Sequence, residues 1–281
     1  MILITGANGQ LGKELCYFFN EENIKYVATD VAEMDITNES SVKSVFAEVK
    51  PTVVFHCAAY TAVDKAEDEG KELNYQINVD GTRNIARVAE ELGATVIYIS
   101  TDYVFDGTKK EAEYLPEDIV NPQGEYGRTK LLGEEIIKEV CSKYYIIRTS
   151  WVFGNYGHNF VFTMQKLAQT HSRLTIVNDQ HGRPTWTRTL AEFMLHVINI
   201  EAEYGIYHLS NDGACTWYDF ACEILKDENV EIAPVTSAEF PQKAKRPQYS
   251  VMNLDKAKAT GFEIPTWKEA LVMMLSENVE I

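Results

Sequence analysis

The 281-residue sequence has little of what secreted, membrane-spanning or nucleic-acid-binding proteins require. Its five cysteines are an odd number without any Cys-x-x-Cys pair, which argues against a disulfide framework and against a zinc site. No apolar run reaches about 18 residues, so no membrane span is predicted. Basic residues are outnumbered, with 26 Lys and Arg against 42 Asp and Glu, and the net charge of −16 repels nucleic-acid phosphates and anionic lipid. The composition therefore argues against general binding to nucleic acid or to a membrane surface.

The remaining composition is that of an ordinary globular protein, with 45% hydrophobic and 24% charged residues. The length allows one large domain, or a large domain with a smaller lobe. No charged segment followed by a long apolar stretch precedes the strand-like run Ile2–Thr5, so no signal peptide is predicted. Together with the unpaired cysteines, this predicts a cytoplasmic protein whose thiols stay reduced.

The first half of the chain alternates short apolar runs with helical segments. Such alternation indicates βαβ crossovers and predicts an α/β fold with a doubly wound parallel sheet of the Rossmann type. In such sheets a ligand binds at the carboxyl ends of the strands. The predicted strands are Ile2–Thr5, Tyr26–Thr29, Thr52–His56, Thr95–Ser100 and Tyr144–Arg148, and the predicted helices are Gln10–Asn20, Glu39–Val49, Lys71–Leu92 and Tyr126–Val140.

A glycine-rich loop follows the first predicted strand and opens the first predicted helix. The spacing Gly6-x-x-Gly9-x-x-Gly12 permits a tight turn and lets backbone N–H groups approach a pyrophosphate at a helix N-terminus. The loop therefore predicts a dinucleotide site at this strand–helix junction. The predicted contacts here are Gly6, Gly9, Gln10, Leu11 and Gly12.

Acidic residues after the second strand point to the nucleoside end of the same cofactor. Asp30 ends that strand, and a carboxylate there accepts hydrogen bonds from ribose hydroxyls. Its charge repels a 2′-phosphate and so favours NAD over NADP. Asp35 and Ile36 are predicted to reach the adenine edge.

A tyrosine and a lysine four residues apart, Tyr126 and Lys130, begin the helix after the fourth strand. Positions i and i+4 share one helix face, and the strand before this helix ends at Thr101. A lysine cation beside the phenol is expected to lower the pKa of Tyr126, so that Tyr126 exchanges a proton with an alcohol or ketone. Thr101 is expected to hydrogen-bond the same oxygen, and Lys130 also to hold the nicotinamide ribose.

Beyond residue 150 the alternation loosens, and six of the eight prolines follow Asn121. We predict a dinucleotide-binding domain over residues 1–150 and a mainly substrate-binding lobe over 151–281, with part of 172–200 returning to the first domain. The elements predicted here are the helices Phe160–Gln169, Thr189–Ile200, Thr216–Lys226 and Thr266–Leu275 and the strands Arg173–Val177 and Tyr204–Leu209.

These motifs resemble the extended short-chain dehydrogenase/reductases over essentially the whole chain, and within them the dTDP-4-dehydrorhamnose reductase family. The more specific stretches are Thr61–Glu67 (TAVDKAE), Ser100–Phe105 (STDYVF) and Asp179–Thr185 (DQHGRPT). Further stretches that carry the resemblance are Ile2–Gly12, His56–Glu67, Asn78–Asn84, Ser100–Gly107, Tyr126–Lys130, Arg148–Gly154 and Arg246–Pro247.

The resemblance implies hydride transfer from NADPH or NADH to the 4-keto carbon of dTDP-4-dehydro-L-rhamnose. It implies a catalytic trio of Thr101, Tyr126 and Lys130, with Tyr126 protonating the new oxygen. It places Ala58, Ala59 and Tyr60 along the cofactor. It places Val104, Trp151 and Asn159 beside the sugar, and Arg246 and then Arg183 are the candidate cations for the substrate diphosphate.

Some members of this family bind Mg²⁺ between subunits through glutamates, and Glu14 matches one such position. Arg188 stands where another glutamate is expected, and a cation there opposes a metal. No metal site is therefore predicted, Mg²⁺ is doubtful, and the chain is expected to be a monomer or a homodimer.

Two other functions stay open at the level of sequence. One is a non-catalytic regulatory subunit similar to the beta subunit of methionine adenosyltransferase. The other is a different NAD-dependent sugar-nucleotide enzyme, such as an epimerase. A 4,6-dehydratase is disfavoured, because such enzymes place Asp-Glu after the catalytic threonine, whereas this chain has Asp102-Tyr103.

Overall fold

The computed structural model describes residues 1–277 and contains one large parallel sheet and three two-stranded pairings. Short runs rich in Val, Ile and Tyr form the strands, and the four inner strands of the large sheet are buried along most of their length. In chain order the strands are β1 Ile2–Thr5, β2 Tyr26–Thr29, β3 Val53–His56, β4 Thr95–Thr101, β5 Tyr144–Thr149, β6 Val152–Phe153, β7 Arg173–Val177, β8 His181–Gly182, β9 Thr185–Trp186, β10 Gly205–His208, β11 Cys215–Thr216 and β12 Glu231–Val235.

The helices connect these strands, and several of them begin at a residue whose side chain caps the helix. Asn38 accepts hydrogen bonds from the N–H groups of Ser40 and Ser41, and Thr266 forms a reciprocal capping box with Glu269. In chain order the α-helices are α1 Gln10–Glu21, α2 Glu39–Val49, α3 Lys71–Tyr75, α4 Thr82–Glu91, α5 Glu125–Val140, α6 Phe160–Ala168, α7 Thr187–Asn199, α8 Trp217–Ile224, α9 Asp255–Lys258 and α10 Trp267–Ser276.

The strand order of the large sheet confirms the predicted doubly wound fold. From one edge the order is β2-β1-β3-β4-β5-β10, and every pairing is parallel. The chain leaves β1 towards β2 on one side and later continues from β3 on the other, so the order reverses between β1 and β3. Such a switch point opens a crevice at the carboxyl ends of the two strands. The glycine-rich loop after β1 and residues 57–59 after β3 border this crevice.

Two hydrophobic clusters cover the two faces of the sheet. Helices α2, α4 and α5 pack on one face through residues such as Phe46, Ile85 and Ile137. Helices α1 and α7 pack on the other, where Phe19 and Phe193 are fully buried. Because both faces of the sheet are covered by helices, a ligand reaches its strands mainly at their carboxyl ends.

A third cluster forms a separate core beside the sheet. It joins α6, α8 and α10 to β7 through large side chains that include Phe153, Phe220 and Trp267. Strands β7 and β12 pair in parallel and complete this region. The chain between residues 172 and 208 contributes to both cores. Strand β7 belongs to the smaller core, whereas α7 packs on the large sheet and β10 extends that sheet. The predicted two-domain division remains a prediction, and its last four residues, 278–281, lie outside the described residues.

The predicted helix over Lys71–Leu92 is interrupted in the structure. Helix α3 ends at Tyr75, a wider π-helical stretch covers Gln76–Gly81, and α4 begins at Thr82. Wide turns of this kind are not visible in hydrophobic periodicity and are frequent at functional sites. This one presents Gln76 and Ile77 to the crevice. Strand β12 was not predicted, because its sequence EIAPV contains a proline that usually demotes a strand.

Within residues 1–277, none of the helices is long and apolar enough to cross a bilayer.

Candidate active site

The glycine-rich loop is compact because two of its glycines touch backbone atoms. Gly6 has φ +66°, and a Cβ on it would lie 2.6 Å from Cα of Ala58. A Cβ on Gly12 would lie 2.2 Å from the carbonyl oxygen of Gly6. Side chains are therefore excluded at both positions, and α1 begins directly behind the loop with its N-terminal N–H groups at the crevice.

A first cavity of about 500 Å³ lies between the glycine loop and the loop after β2. Asp30 stands in its wall, where its carboxylate accepts hydrogen bonds from the N–H groups of Asn8 at 2.9 Å and Val31 at 2.8 Å. None of the described residues that line this cavity is a lysine or arginine. The lining residues that the sequence predicted are Gly6, Gly9, Asp30, Asp35, Ile36, Ala58 and Ala59.

A second cavity of about 620 Å³ continues from the first and shares Gly6, Gly9 and Ala59 with it. It contains all three predicted catalytic residues, which come from the end of β4 and the first two turns of α5. Gln10, Leu11 and Gly12 also line it. The predicted dinucleotide contacts and the predicted catalytic trio therefore share one continuous crevice.

Tyr126 is enclosed, and its surroundings differ from the expectation drawn from the sequence. Burial raises the pKa of its phenol well above the ordinary value, although hydrogen bonding with the Thr101 side chain counteracts part of that increase. The ring of Tyr103 meets it edge-on, with 5.5 Å between the ring centroids. The expected lowering of the pKa of Tyr126 is therefore wrong for this structure, because desolvation outweighs the favourable contacts.

Lys130 lies over an aromatic ring behind the tyrosine. Its Nζ is 4.0 Å from the centroid of the Tyr98 ring, and the residue is only 3% exposed. Burial lowers the pKa of Lys130 to about 7, and the charge of Glu134 acts in the opposite direction. The lysine is thus poised between its charged and neutral forms near neutral pH.

A third cavity of about 670 Å³ opens from the second on the side of the smaller core. Val63, Tyr103 and Trp151 line both cavities. The rings of Trp151 and Trp217 are stacked, 3.7 Å apart and 12° from parallel, and form an aromatic wall. Trp151 holds this position with φ +47°, a conformation that is strained for a bulky residue.

Arg246 lies at the mouth of the third cavity. Its guanidinium donates to the hydroxyl of Tyr103 at 3.1 Å and to Gln242 at 2.9 Å, and it forms an ion pair with Asp64. Asp64 belongs to the segment after β3, so this arginine spans the crevice opening. The sequence predicted Arg246 as a cation for the substrate diphosphate. Its place in the lining of this cavity is compatible with that role, which stays a prediction.

Four predicted contacts do not line any of these three cavities. Tyr60 points towards Gly70, whose missing side chain makes room for its hydroxyl. Val104 is fully buried in a small cluster with Phe105 and Met252. Asn159 caps α6 and donates to the carbonyl of Gly154 at 2.8 Å.

Arg183, the fourth, is turned away from the crevice. It is buried, pairs with the carboxylate of Glu113 at 2.6 Å, and donates to the carbonyl oxygen of Met252. These contacts tie the loop before α5 to the smaller region. Its position does not support the predicted role in binding the substrate diphosphate.

Glu14 is also engaged with an arginine. Its Oε1 accepts from Nε of Arg188 at 2.8 Å, and its Oε2 accepts from Thr187 at 3.0 Å. Among residues 1–277 there is no group of three or more His, Cys, Asp or Glu arranged to hold a metal ion. The positive charge of the Arg188 guanidinium offsets the negative charge of the Glu14 carboxylate.

Several lining residues were missed from the sequence. Asp102 and Tyr103 follow the catalytic threonine directly, and their place in the STDYVF stretch was a usable signal. Trp217 and Phe160 come from distant segments, and their apolar character looked like ordinary core. Gln76 reaches the first cavity only because of the wide helical turn.

The crevice fits a dinucleotide. Gly6 and Gly12 allow the tight backbone packing that brings the loop and the start of α1 to the crevice. The helix N-terminus supplies N–H donors for a pyrophosphate, and Asp30 presents carboxylate oxygens to a ribose. A half-buried tyrosine, a buried lysine and a buried threonine lie at the far end of the same space.

These features define a Rossmann-type nucleotide-dependent oxidoreductase with a Tyr–Lys pair. Comparison with known families gives the narrower assignment: the chain belongs to the family described as the RmlD substrate binding domain, whose model matches residues 1–279.

Curated relatives match along nearly the whole chain. The spore coat polysaccharide biosynthesis protein SpsK of Bacillus subtilis (strain 168) is 41% identical, with 99% of this chain and 97% of the relative covered. A dTDP-4-dehydrorhamnose reductase of Aggregatibacter actinomycetemcomitans is 39% identical, with 96% of each chain covered.

Solved structures agree with these relatives. A dTDP-4-dehydrorhamnose reductase of Clostridium acetobutylicum ATCC 824 is 48% identical, with a TM-score of 0.93 and 98% of each chain covered. A dTDP-4-dehydrorhamnose reductase of Bacillus anthracis str. Ames, solved in complex with NADP, is 41% identical, with a TM-score of 0.93 and the same coverage. The resemblance stated from the sequence motifs is confirmed.

Proposed function

We propose that this protein reduces dTDP-4-dehydro-L-rhamnose to dTDP-L-rhamnose with NADPH or NADH, supplying a sugar for cell-surface polysaccharide. The observation that carries the proposal is the position of Thr101, Tyr126 and Lys130. They line the second cavity, which continues from the cavity at the glycine loop and borders the third cavity through Val63, Tyr103 and Trp151. Relatives named as this reductase at up to 48% identity support the same activity.

Three residues of the chain have different roles in the proposed reduction. The bound nicotinamide supplies the hydride. Tyr126 donates its proton to the carbonyl oxygen as it becomes a hydroxyl, and a phenol with a raised pKa is protonated at neutral pH, as a donor must be. Thr101 lines the same cavity as the phenol and is placed to hydrogen-bond the same substrate oxygen. Lys130 holds the ribose hydroxyls while it is charged, and stabilises negative charge at the phenol.

The third cavity is the proposed site of the nucleotide sugar. The stacked rings of Trp151 and Trp217 offer a flat apolar surface for the sugar or the base. Arg246 supplies a cation for the diphosphate at the cavity mouth. Because Arg246 pairs with Asp64 and Tyr103, its release towards an anion exchanges one set of charged hydrogen bonds for another.

Removal of the Asp30 carboxylate tests the choice of cofactor. Asp30→Ala is expected to raise the preference for NADPH over NADH about tenfold, or ~1.4 kcal/mol, because a negative charge that faces the 2′-phosphate is lost. The Michaelis constants of both cofactors measure this.

Glu33→Gln is the matched control for Asp30→Ala. Glu33 accepts a hydrogen bond from the backbone N–H of Asp30 at 2.9 Å but does not line the cavity. The preference of Glu33→Gln between NADPH and NADH should therefore equal that of the wild type. Unchanged constants for both cofactors in Asp30→Ala remove Asp30 from the binding site.

The decisive assay follows absorbance at 340 nm with NADH and NADPH in parallel. The sugar nucleotide is generated in place by the upstream dehydratase and epimerase. Oxidation that requires the sugar is expected, and it also ranks the two cofactors. No oxidation despite measured cofactor binding contradicts the reductase and favours the regulatory subunit. Nicotinamide released by acid from the purified protein favours an epimerase.

We also propose that the protein works in the cytoplasm as a monomer or homodimer. The five cysteines are free thiols in the structure, which supports a reducing compartment. Light scattering on the purified protein distinguishes the two assembly states, and a fractionation showing the protein outside the cytoplasm contradicts the location.

A further inference from the structure

A buried ion pair lies directly behind the proposed active site. Arg148 on β5 donates two hydrogen bonds to the carboxylate of Glu134 on α5, at 2.9 and 2.7 Å. The side chains are 2% and 0% exposed. A paired, two-point contact of this kind is stronger and more directional than a single neutral hydrogen bond.

Further hydrogen bonds fix this pair in one place. Ser100, the residue before Thr101, donates its hydroxyl to Glu134 at 2.5 Å. Arg148 also donates to the carbonyl oxygen of Pro116 at 3.0 Å, and its guanidinium lies 5.0 Å from the centroid of the Phe105 ring. Glu134 is therefore a fixed negative charge connected to the strand end that carries Thr101.

Helix geometry directs this charge towards Lys130. Tyr126, Lys130 and Glu134 are spaced four residues apart and follow one another along the inner face of α5. Among residues 1–277 no carboxylate forms a salt bridge with Lys130, so Glu134 acts on it through space rather than by direct pairing.

The other groups around Lys130 do not supply a comparable negative charge. Tyr98 presents its ring face, and Tyr126 is a phenol whose pKa is raised. The pKa of His56 is lowered to about 3 by burial and by Lys130 itself, so His56 is neutral. Burial raises the pKa of the Cys57 thiol, which is therefore also neutral at pH 7.

We propose that Glu134 is a positioning residue that acts through Lys130: its carboxylate, fixed by Arg148 and Ser100, raises the fraction of Lys130 that is in the charged ammonium form inside a desolvated site. The proposal rests on the proposed function in so far as the charged lysine serves the cofactor and Tyr126. Burying an ion pair seldom adds net stability, because desolvation offsets the attraction, so stability alone does not explain its presence here.

The test measures the titration of Lys130 directly. The ε-carbon of lysine is followed by NMR in the full-length protein without cofactor, and its signal is assigned by its loss in Lys130→Met. In Glu134→Gln the midpoint of Lys130 is expected to fall by about one pH unit, since a nearby opposite charge typically accounts for a shift of that size. A midpoint equal to that of the wild type overturns the proposal.

A second variant protects the test from misfolding. Glu134→Gln leaves Arg148 buried without its partner, whereas Glu134→Gln combined with Arg148→Met removes both charges and is expected to fold. The double variant should also show a lowered midpoint, because the carboxylate of Glu134 is absent from both variants. A wild-type midpoint in the folded double variant also overturns the proposal.

Glu14→Gln is the matched control for loss of a buried ion pair. Glu14 is 1% exposed and pairs with Arg188 at 2.8 Å, on the other face of the sheet from α5. It should lose stability without moving the midpoint of Lys130. An equal shift in this control shows that general loosening, and not the charge of Glu134, controls Lys130, and overturns the proposal.

The pH dependence of cofactor binding gives the functional readout. Fluorescence titrations with NADPH are expected to lose affinity at a pH about one unit lower in the double variant than in the wild type. Because the NMR titration needs neither cofactor nor sugar, failure of the reductase assay leaves it interpretable. Failure of the proposed role of Glu134 and failure of the proposed reductase function can therefore be told apart.

Discussion

Replacing Tyr126 by Phe is expected to lower turnover about 10²–10⁴-fold, the usual contribution of general acid catalysis. The substitution removes one hydroxyl and keeps the ring, so packing against Tyr103 remains. Steady-state oxidation of NAD(P)H at 340 nm measures the loss. Cofactor binding and thermal unfolding should stay near the wild-type values, because Tyr126 is proposed to act on the substrate oxygen rather than to hold the fold.

Tyr103→Phe is the control that separates the two neighbouring phenols. The Tyr103 hydroxyl accepts a hydrogen bond from Arg246 and lies at the junction of the second and third cavities. Its loss should change the Michaelis constant of the sugar more than turnover. Near-full activity of Tyr126→Phe, together with a large loss of turnover in Tyr103→Phe, would assign proton donation to Tyr103 instead.

Gly12→Ala is expected to weaken binding of NADPH and NADH at least about tenfold and to destabilise the fold by about 1–3 kcal/mol. The new methyl group would lie 2.2 Å from the carbonyl oxygen of Gly6 and 2.6 Å from Cα of Ala7. Both are backbone atoms and cannot rotate away, so the loop itself must open. Fluorescence titration of the cofactor and urea unfolding measure the two effects.

Gly9→Ala is the control for Gly12→Ala, because it adds a methyl group to the same loop without the same collision inside the loop. A methyl group on Gly9 meets only the carbonyl oxygen of Gly6 at 3.2 Å, and the backbone there is extended with φ −73°. Its stability should therefore change less than that of Gly12→Ala. Equal losses of stability in the two variants contradict the argument from the tight Gly6–Gly12 contact.

The features predicted best are those encoded by local sequence. The strand–glycine loop–helix unit at the start of the chain lies where it was expected, because turn chemistry and periodicity agree there over a dozen residues. The strand ending at Thr101 and the helix carrying Tyr126 and Lys130 were found for the same reason. The wide turn over Gln76–Gly81 was missed, because its residues continue a helical pattern and a single glycine is tolerated within a helix.

Prediction of substrate contacts was weaker. Arg246 and then Arg183 were the candidate cations for the diphosphate; Arg183 is buried against Glu113, whereas Arg246 lies at a cavity mouth. Asn159 was assigned to the sugar, whereas its side chain caps α6. The choice among such roles depends on partners that are distant in sequence, and no local pattern encodes them.

By itself the sequence determined the α/β class, the glycine loop, the Thr101–Tyr126–Lys130 set and the family, since each depends on residues close together in the chain. Only the tertiary structure decided how the three cavities join, where Trp217 stands, and that Glu134 faces Lys130 while held by Arg148. It also decided that burial raises the pKa of Tyr126, against the lowering expected from its motif. Desolvation and long-range pairing arise from the packing of whole elements, and a sequence motif carries no information about either.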